Sequence, residues 1–244
     1  MNTFDNLKTD SSISAAEDSV GSSFGPVDSA VYEAKITMAY TDKSKGGALS
    51  LNITLDTSAG EVRETIWMTS GNAKGNKNTY ERDGEKHYLP GFTLANHIAL
   101  LTVGKEIGDV LSETGETKIL KLYDYDAKKE MPVEKTVVTG LLNQEISVGI
   151  LKKIVDKNVK NDNGEYVPSG EVREINEIDK TFRHRDGMSV AEILAQATEA
   201  TFIDTWKKKF TGVVQDKSKK GVKPSAGLPG QAAATAKPST SLFA

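Results

Sequence analysis

The chain of 244 residues contains no cysteine, which excludes disulfide bonds, thiolate metal sites and cysteine nucleophiles. Its three histidines, His87, His97 and His184, are far apart, and no HExxH-like spacing for a catalytic metal occurs. No apolar run approaches the roughly 18 residues of a membrane span, and the N-terminus lacks the pattern of a secretion signal. These absences predict a cytoplasmic protein without a membrane span, a metal site or a cofactor.

Motifs for catalysis are also missing. In the glycine-rich segment Gly71–Lys77 the glycines are four apart and Asn78 follows the lysine, so it departs from the GxxxxGK[ST] loop that binds nucleoside triphosphates. No serine–histidine–aspartate triad can be singled out. An acidic cluster leaves a metal-dependent nuclease as the less favoured alternative to a solvated charged face. That cluster consists of Glu171, Glu174, Glu177 and Asp179. We therefore predict a protein that is not an enzyme.

The net charge of −3 is unevenly distributed along the chain. Residues 1–29 contain five acids and one lysine with little periodicity, which predicts a flexible acidic arm. Residues 207–244 contain eight lysines and one acid, and the part from 213 to 244 is predicted to be a basic low-complexity tail. The predicted folded domain is 30–212. Because binding of a polyanion depends on local potential, an acidic domain with a basic groove is compatible with this distribution.

Alternation of apolar residues with a period of two predicts three half-buried antiparallel strands at the start of the domain. The rows expected to face the core are Tyr32, Ala34, Ile36 and Met38; Leu49, Leu51, Ile53 and Leu55; and Val62, Ile66 and Met68. Glu64 interrupts the third row. A helix over Thr93–Val103 follows, and the later elements are strands at 118–125, 132–138, 146–160 and 172–182 and helices at 189–197 and 199–210.

This order of elements predicts a mainly β fold with a few helices. A helix after the third strand fits an oligonucleotide-binding (OB-fold-like) antiparallel barrel, to which a long extra hairpin and C-terminal helices are added. Another α+β sheet accounts equally well for the strand count. In the last helix, Phe202, Trp206 and Phe210 are spaced at i, i+4 and i+8, which is typical of a core stripe.

The segment Thr69–Pro90 is the most informative part of the chain. It interleaves Lys74, Lys77, Arg82 and Lys86 with Tyr80, His87 and Tyr88. Cations neutralise phosphates and aromatic rings stack on bases, so this composition fits single-stranded nucleic acid. The alternative is a solvated hairpin around the Asp83-Gly84 turn, with Tyr88 packed on the core.

Aromatic residues outside this segment are also directed away from the predicted core. Trp67 shares a strand face with Arg63, and the outward tyrosines Tyr123 and Tyr125 share theirs with Lys121. Tyr40 directly precedes a turn that carries two lysines. The complete set of predicted DNA-binding residues is Tyr40, Lys43, Lys45, Arg63, Trp67, Lys74, Lys77, Tyr80, Arg82, Lys86, Tyr88, Lys121 and Tyr123.

Three stretches of the chain resemble the single-stranded-DNA-binding replication proteins of tailed bacteriophages. They are VYEAKITMAYTDKSKGGALSLNITL, TIWMTSGNAKGNKNTY and NEIDKTFRHRDGMSVAEILAQATEATFIDTWKKKF, within Val31–Phe210. The resemblance implies an OB-fold barrel that coats exposed strands during phage DNA replication, recombination and repair in the bacterial host cytoplasm. The contact surface that it implies includes Lys43, Lys45, Trp67, Lys74, Lys77 and Tyr80.

The C-terminal tail departs from the pattern of many single-strand binders, which end in an acidic tail with an aromatic tip. Here the tail is basic and ends in Ser241-Leu242-Phe243-Ala244. A competing hypothesis is therefore a protein-interaction module. It would recruit replication or transcription proteins through the helix of Trp206 and the Leu242-Phe243 tip.

Overall fold

The computed structural model describes residues 25–124, 127–161 and 166–219, together with the backbone of 223–224. The predicted acidic arm up to residue 24, Tyr125 and the tail from 225 lie outside the described residues. The elements are β1 (Ala30–Lys43), β2 (Leu49–Thr57), β3 (Gly60–Trp67), β4 (Thr79–Arg82), β5 (Glu85–Tyr88), α1 (Pro90–Val103), α2 (Ile107–Thr114), β6 (Gly115–Asp124), β7 (Lys129–Val138), β8 (Glu145–Lys160), β9 (Tyr166–Arg183), α3 (Val190–Leu194), α4 (Phe202–Phe210), β10 (Val214–Asp216) and β11 (Lys223–Pro224).

Nine of these strands form one large sheet. Its order is β11-β9-β8-β1-β2-β3, with β7 paired to the second half of β1, β6 to β7 and β10 to β8. The pairs are antiparallel except for β10 and β11, which run parallel to their partners. The mainly β class, the long hairpin of β8 and β9 and the C-terminal helices are therefore confirmed. The predicted barrel is not confirmed, because the sheet is not closed.

Two edges of the sheet, those of β3 and β9, come together without a backbone pairing. Among the described strands, β3 pairs with β2 alone, and the far edge of β9 is covered over two residues by β11. Glu64 on β3 spans the gap, because its carboxylate accepts a hydrogen bond of 2.6 Å from the Ile178 N–H on β9. A side chain therefore stands where a closed barrel would have a backbone ladder.

The first strand departs from the predicted alternation at a β-bulge. The pairing of β1 with β2 shifts between Ile36 and Met38, so Thr37 is an extra residue on β1. Past the bulge, Ala39 is fully buried and Met38 lies on the outer face. The prediction that Met38 faces the core is therefore wrong, because a bulge exchanges the two faces of the strand that follows it.

The main core confirms the rows predicted for the second and third strands. Leu51, Ile53 and Leu55 of β2 and Val62 and Ile66 of β3 are all at most 3 % exposed. They pack against the apolar faces of α1 and α2. Burial of these side chains holds the sheet and the two helices together.

A second, smaller core fixes α4 to the hairpin of β8 and β9. Trp206 is 2 % exposed and packs with Leu151 and Phe182, and its indole N–H donates to Asp179 at 2.7 Å. The prediction of a core stripe is confirmed for Trp206, whereas Phe202 stays 37 % exposed. The buried indole is therefore not presented to a partner.

The helices differ from the predictions mainly at their N-terminal ends. α1 begins at Pro90, three residues earlier than predicted, and ends before Gly104 as expected. α2 was not predicted, and a capping box of Ser189 and Glu192 opens α3. In the described ranges, no helix has both the length and the apolar character required to cross a bilayer.

Candidate nucleic-acid interface

A groove of about 840 Å³ lies between the end of β3 and the segment that follows it; we name it the basic groove. The segment forms a β4–β5 hairpin that reverses at Asp83 and Gly84, whose φ angles of 53° and 81° suit this turn. The hairpin is therefore real, as the alternative interpretation required, but it also forms one wall of the groove. Five predicted DNA-binding residues line it, namely Trp67, Lys74, Lys77, Tyr80 and Lys86.

The position of Trp67 follows from the strand register. Trp67 pairs with Ser50 on β2, one residue beyond the buried Ile66, so its ring is directed to the outer face and is 46 % exposed. Gly91 at the start of α1 lies against the backbone of Trp67, where a Cβ would overlap the carbonyl oxygen. This close approach brings the helix and the hairpin together around the indole.

A backbone hydrogen bond joins two lysine-containing loops beside the basic groove. The Asn72 N–H donates to the Gly46 carbonyl at 2.7 Å, which ties the turn after β1 to the loop after β3. Within that loop, the Ser70 hydroxyl accepts from the Lys77 N–H at 2.9 Å. Lys45 of the turn is thus held beside the loop of Lys74 and Lys77, and Lys43 precedes the turn as the last residue of β1.

The lysines around the basic groove pair with no carboxylate that the structure describes. Within the part of the chain that the structure describes, Lys43, Lys45, Lys74, Lys77 and Lys86 form no ion pair. Elsewhere on the sheet, five lysines are paired with acids, namely Lys118, Lys135, Lys152, Lys153 and Lys157, whereas Lys35, Lys121, Lys129 and Lys180 form no ion pair with a described residue. The groove and its flanking turn therefore hold a local excess of positive charge, although Glu81 also lines the groove.

Four other predicted residues lie near the basic groove without lining it. Tyr40 is half-buried on the outer sheet face, and Arg63 on the same face is held by Glu61 at 2.6 Å. Arg82 lies at the end of the hairpin. Tyr88 is 61 % exposed, so the idea that it closes onto the core is wrong; its ring contacts Phe92 with a centroid distance of 5.1 Å.

The remaining two predicted residues lie elsewhere. Tyr40 pairs with Val137 of β7, which pairs with Glu116 of β6, so the even-numbered residues of β6 share the face of Tyr40. Lys121 and Tyr123 are odd-numbered and project from the opposite face of this hairpin. The structure does not bring them to the basic groove.

A second groove, of about 1020 Å³, was not predicted from the sequence; we name it the acidic groove. It adjoins the basic groove, and Trp67, Pro90 and Gly91 line both. Its walls are the end of β3, α1, β9 and α3. The carboxylates and cations that line it are Glu64, Glu177, Asp179, Glu192, His97 and Lys180.

The pKa values of two carboxyl groups in the acidic groove are shifted in opposite directions. Burial raises the pKa of Glu64 to about 7; the Ile178 N–H opposes this shift and the charge of Glu177 adds to it. Burial also acts to raise the pKa of Glu192, but hydrogen bonds from Ser189, Phe202 and Thr201 outweigh it and lower the pKa to about 2. Burial, with the nearby Lys180, lowers the pKa of His97.

The acidic cluster of β9 does not converge on one point. Glu171 pairs with Lys157 at 2.8 Å, Glu174 with Lys152 at 3.2 Å and Glu177 with Lys153 at 2.6 Å, while Asp179 accepts from Trp206. In the described ranges, no group of three histidine, aspartate or glutamate residues could hold a metal ion. The four acids therefore act singly, each with its own cation or donor.

No family model and no curated protein matches this chain. The two grooves and their charges are therefore the basis for inferring what the protein does. The basic groove combines exposed rings with unpaired cations, and the acidic groove combines carboxylates with apolar walls.

Proposed function

We propose that the protein binds single-stranded DNA of any sequence and performs no catalysis. The observation that carries this proposal is the basic groove, where Trp67 and Tyr80 are 46 % and 40 % exposed beside three lysines that pair with no carboxylate of the described residues. Stacking on such rings contributes roughly 1–3 kcal/mol per base for any base, and lysines bind phosphates irrespective of sequence.

The lysines define where the DNA backbone would run. Lys45 lies on the turn that is hydrogen-bonded to the loop of Lys74 and Lys77, Lys43 ends the strand before this turn, and Lys86 lies on the adjacent hairpin. If each of these five lysines neutralises one phosphate, the log–log slope of affinity against salt is about −3.5 on a single strand.

The biological setting that we propose comes from the resemblance of the sequence. A sequence-tolerant binder would protect exposed strands during phage DNA replication, recombination and repair in the cytoplasm of the bacterial host. Recruitment of replication or transcription proteins through Leu242 and Phe243 stays a prediction, since this tip lies outside the described residues.

The test is a titration of fluorescein-labelled oligo-dT followed by anisotropy at two salt concentrations. Trp67→Ala and Tyr80→Ala should each weaken binding by about fivefold to 150-fold, the range for one lost stacking platform. Tyr166→Ala is the matched control, because Tyr166 is 73 % exposed at the start of β9, outside both grooves. Its affinity should equal that of the wild type.

The cation contribution is tested separately with a Lys74→Ala/Lys77→Ala double variant. It should flatten the salt slope by about 1.4, while Lys208→Ala on α4 leaves the slope unchanged. Equal affinities for the wild type, Trp67→Ala and Tyr80→Ala would show that the basic groove is not the site. Strand cleavage on addition of Mg²⁺ would contradict a non-enzymatic binder.

A further inference from the structure

The acidic groove continues the basic groove on the other side of Trp67. Its apolar wall includes Ile66, Leu94, Val190 and Phe202, and Trp67 stands at the boundary between the two grooves. A strand that stacks on this indole therefore has its next base at the mouth of the acidic groove.

The groove contains hydrogen-bonding groups that are not fully used. Thr181 is 4 % exposed, and its hydroxyl has no partner among the described residues. Glu64 accepts one bond from Ile178, and Asp179 accepts one from the indole of Trp206, so each carboxylate keeps an oxygen that no described donor contacts. A buried hydroxyl without a partner, such as that of Thr181, is costly unless a ligand pairs with it.

The charge of the acidic groove selects against a phosphate and for a neutral group with donors. Four carboxylates line the groove together with Lys180 and a half-buried histidine. The excess of carboxylates repels a polyanion. Two of the carboxylates already have partners: Glu177 forms an ion pair with Lys153, and Glu192 caps the N-terminus of α3. What is left is an acceptor-rich, apolar-walled space, and a flat base with an amino group matches it.

The bases differ in the group that they would present. Cytosine and adenine carry an exocyclic amino donor next to a ring acceptor, which matches a carboxylate that accepts and a threonine hydroxyl that donates. Guanine also carries an exocyclic amino group, next to a ring N–H, and both can donate to a carboxylate. Thymine has no exocyclic amino group and places a carbonyl oxygen where cytosine has one, which would face the Asp179 carboxylate without a proton between them.

We infer that the acidic groove takes one base of the bound strand and prefers a base with an exocyclic amino group (cytosine, adenine or guanine) over thymine. This inference rests on the proposed binding of single-stranded DNA. Asp179 and Thr181 supply the selectivity, Glu64 adds an acceptor where it is ionised, and the lysines of the basic groove hold the adjoining phosphates.

The test compares labelled oligo-dC with oligo-dU, which differ at the amino position but not by a methyl group. The wild type should bind oligo-dC about threefold to tenfold more tightly, the range for one added hydrogen bond. Thr181→Val and Glu64→Gln should each reduce this ratio toward one. Thr37→Val, at an exposed position on β1 outside both grooves, should leave the ratio unchanged. Thermal unfolding confirms that each variant is folded.

Separate outcomes identify which of the two proposals fails. Tight binding of oligo-dU and oligo-dC with equal affinity would overturn the base preference and leave the DNA-binding proposal intact. A ratio that Thr181→Val does not change would also overturn it. A lysine-rich apolar peptide is a further probe. If it binds the wild type but not Glu64→Gln, and displaces neither oligonucleotide, the groove belongs to a protein partner instead. Binding of no oligonucleotide would overturn both proposals.

Discussion

Replacing Glu64 by glutamine removes a titratable group from the inner face of β3. Burial raises the pKa of Glu64 from its ordinary 4.5 to about 7 in the folded protein. Between these values the folded state holds a proton that the unfolded state releases, so stability falls as the pH rises through this range. The difference between the two pKa values corresponds to about 3 kcal/mol, lost in full above about pH 7.

The assay is urea unfolding followed by fluorescence from about pH 5 to pH 8, since the buried Trp206 reports loss of the smaller core. The quantity of interest is the difference in unfolding free energy between Glu64→Gln and the wild type. His97 has a lowered pKa, so it adds stability as the pH rises, but it is present in both proteins and cancels in the difference. The matched control is Glu61→Gln, at an exposed position of the same strand.

The expected result is a difference that grows in favour of Glu64→Gln as the pH rises, by about 3 kcal/mol over the window. The glutamine carbonyl can still accept the hydrogen bond of Ile178, so the bridge between β3 and β9 is kept. A difference that is independent of pH would refute the reasoning, because it would show that the Glu64 carboxylate is solvated as in the unfolded chain.

Two glycines give further predictions, because each allows a close approach that a Cβ would block. Gly149→Ala places its Cβ 2.9 Å from the indole of Trp206, so we expect a loss of about 1–3 kcal/mol of unfolding free energy in urea titrations. Gly91→Ala places its Cβ against the carbonyl oxygen of Trp67, and we expect weaker oligo-dT binding by anisotropy together with a lower unfolding midpoint. For both, Gly108→Ala in α2 is the control, since nothing lies within 4 Å of its Cβ.

Burial in β2 and β3 and the outward direction of Trp67 could be predicted from the sequence. Each of these strands has one face on the core, so a shift of one residue would expose the whole apolar row, and alternation alone fixes the faces. Trp67 lies next to Ile66 in this pattern. The same alternation predicts the wrong face for the second half of β1. The bulge at Thr37 depends on pairing with β2 and β8 and cannot be seen in the order of apolar and polar residues.

The basic groove could be predicted only in composition. The sequence shows that Thr69–Pro90 is rich in lysine and tyrosine, but the bond from Asn72 to Gly46 that brings Lys43 and Lys45 alongside joins two separate loops. Lys121 and Tyr123 have the same local pattern as Trp67 and Arg63, yet they lie on another hairpin. Residue type and strand face do not determine which surfaces become neighbours.

Glu64 shows why the acidic groove could not be predicted from the sequence. It interrupts the apolar row of β3, and such a break in an otherwise consistent pattern is expected where a strand has a special role. Its partner, the Ile178 N–H, is 114 residues away, so the role is visible only in the fold. A continuous backbone ladder between β3 and β9 would close the barrel and leave no room between the strands. The acidic groove therefore exists because a side chain, and not a ladder, joins the two edges.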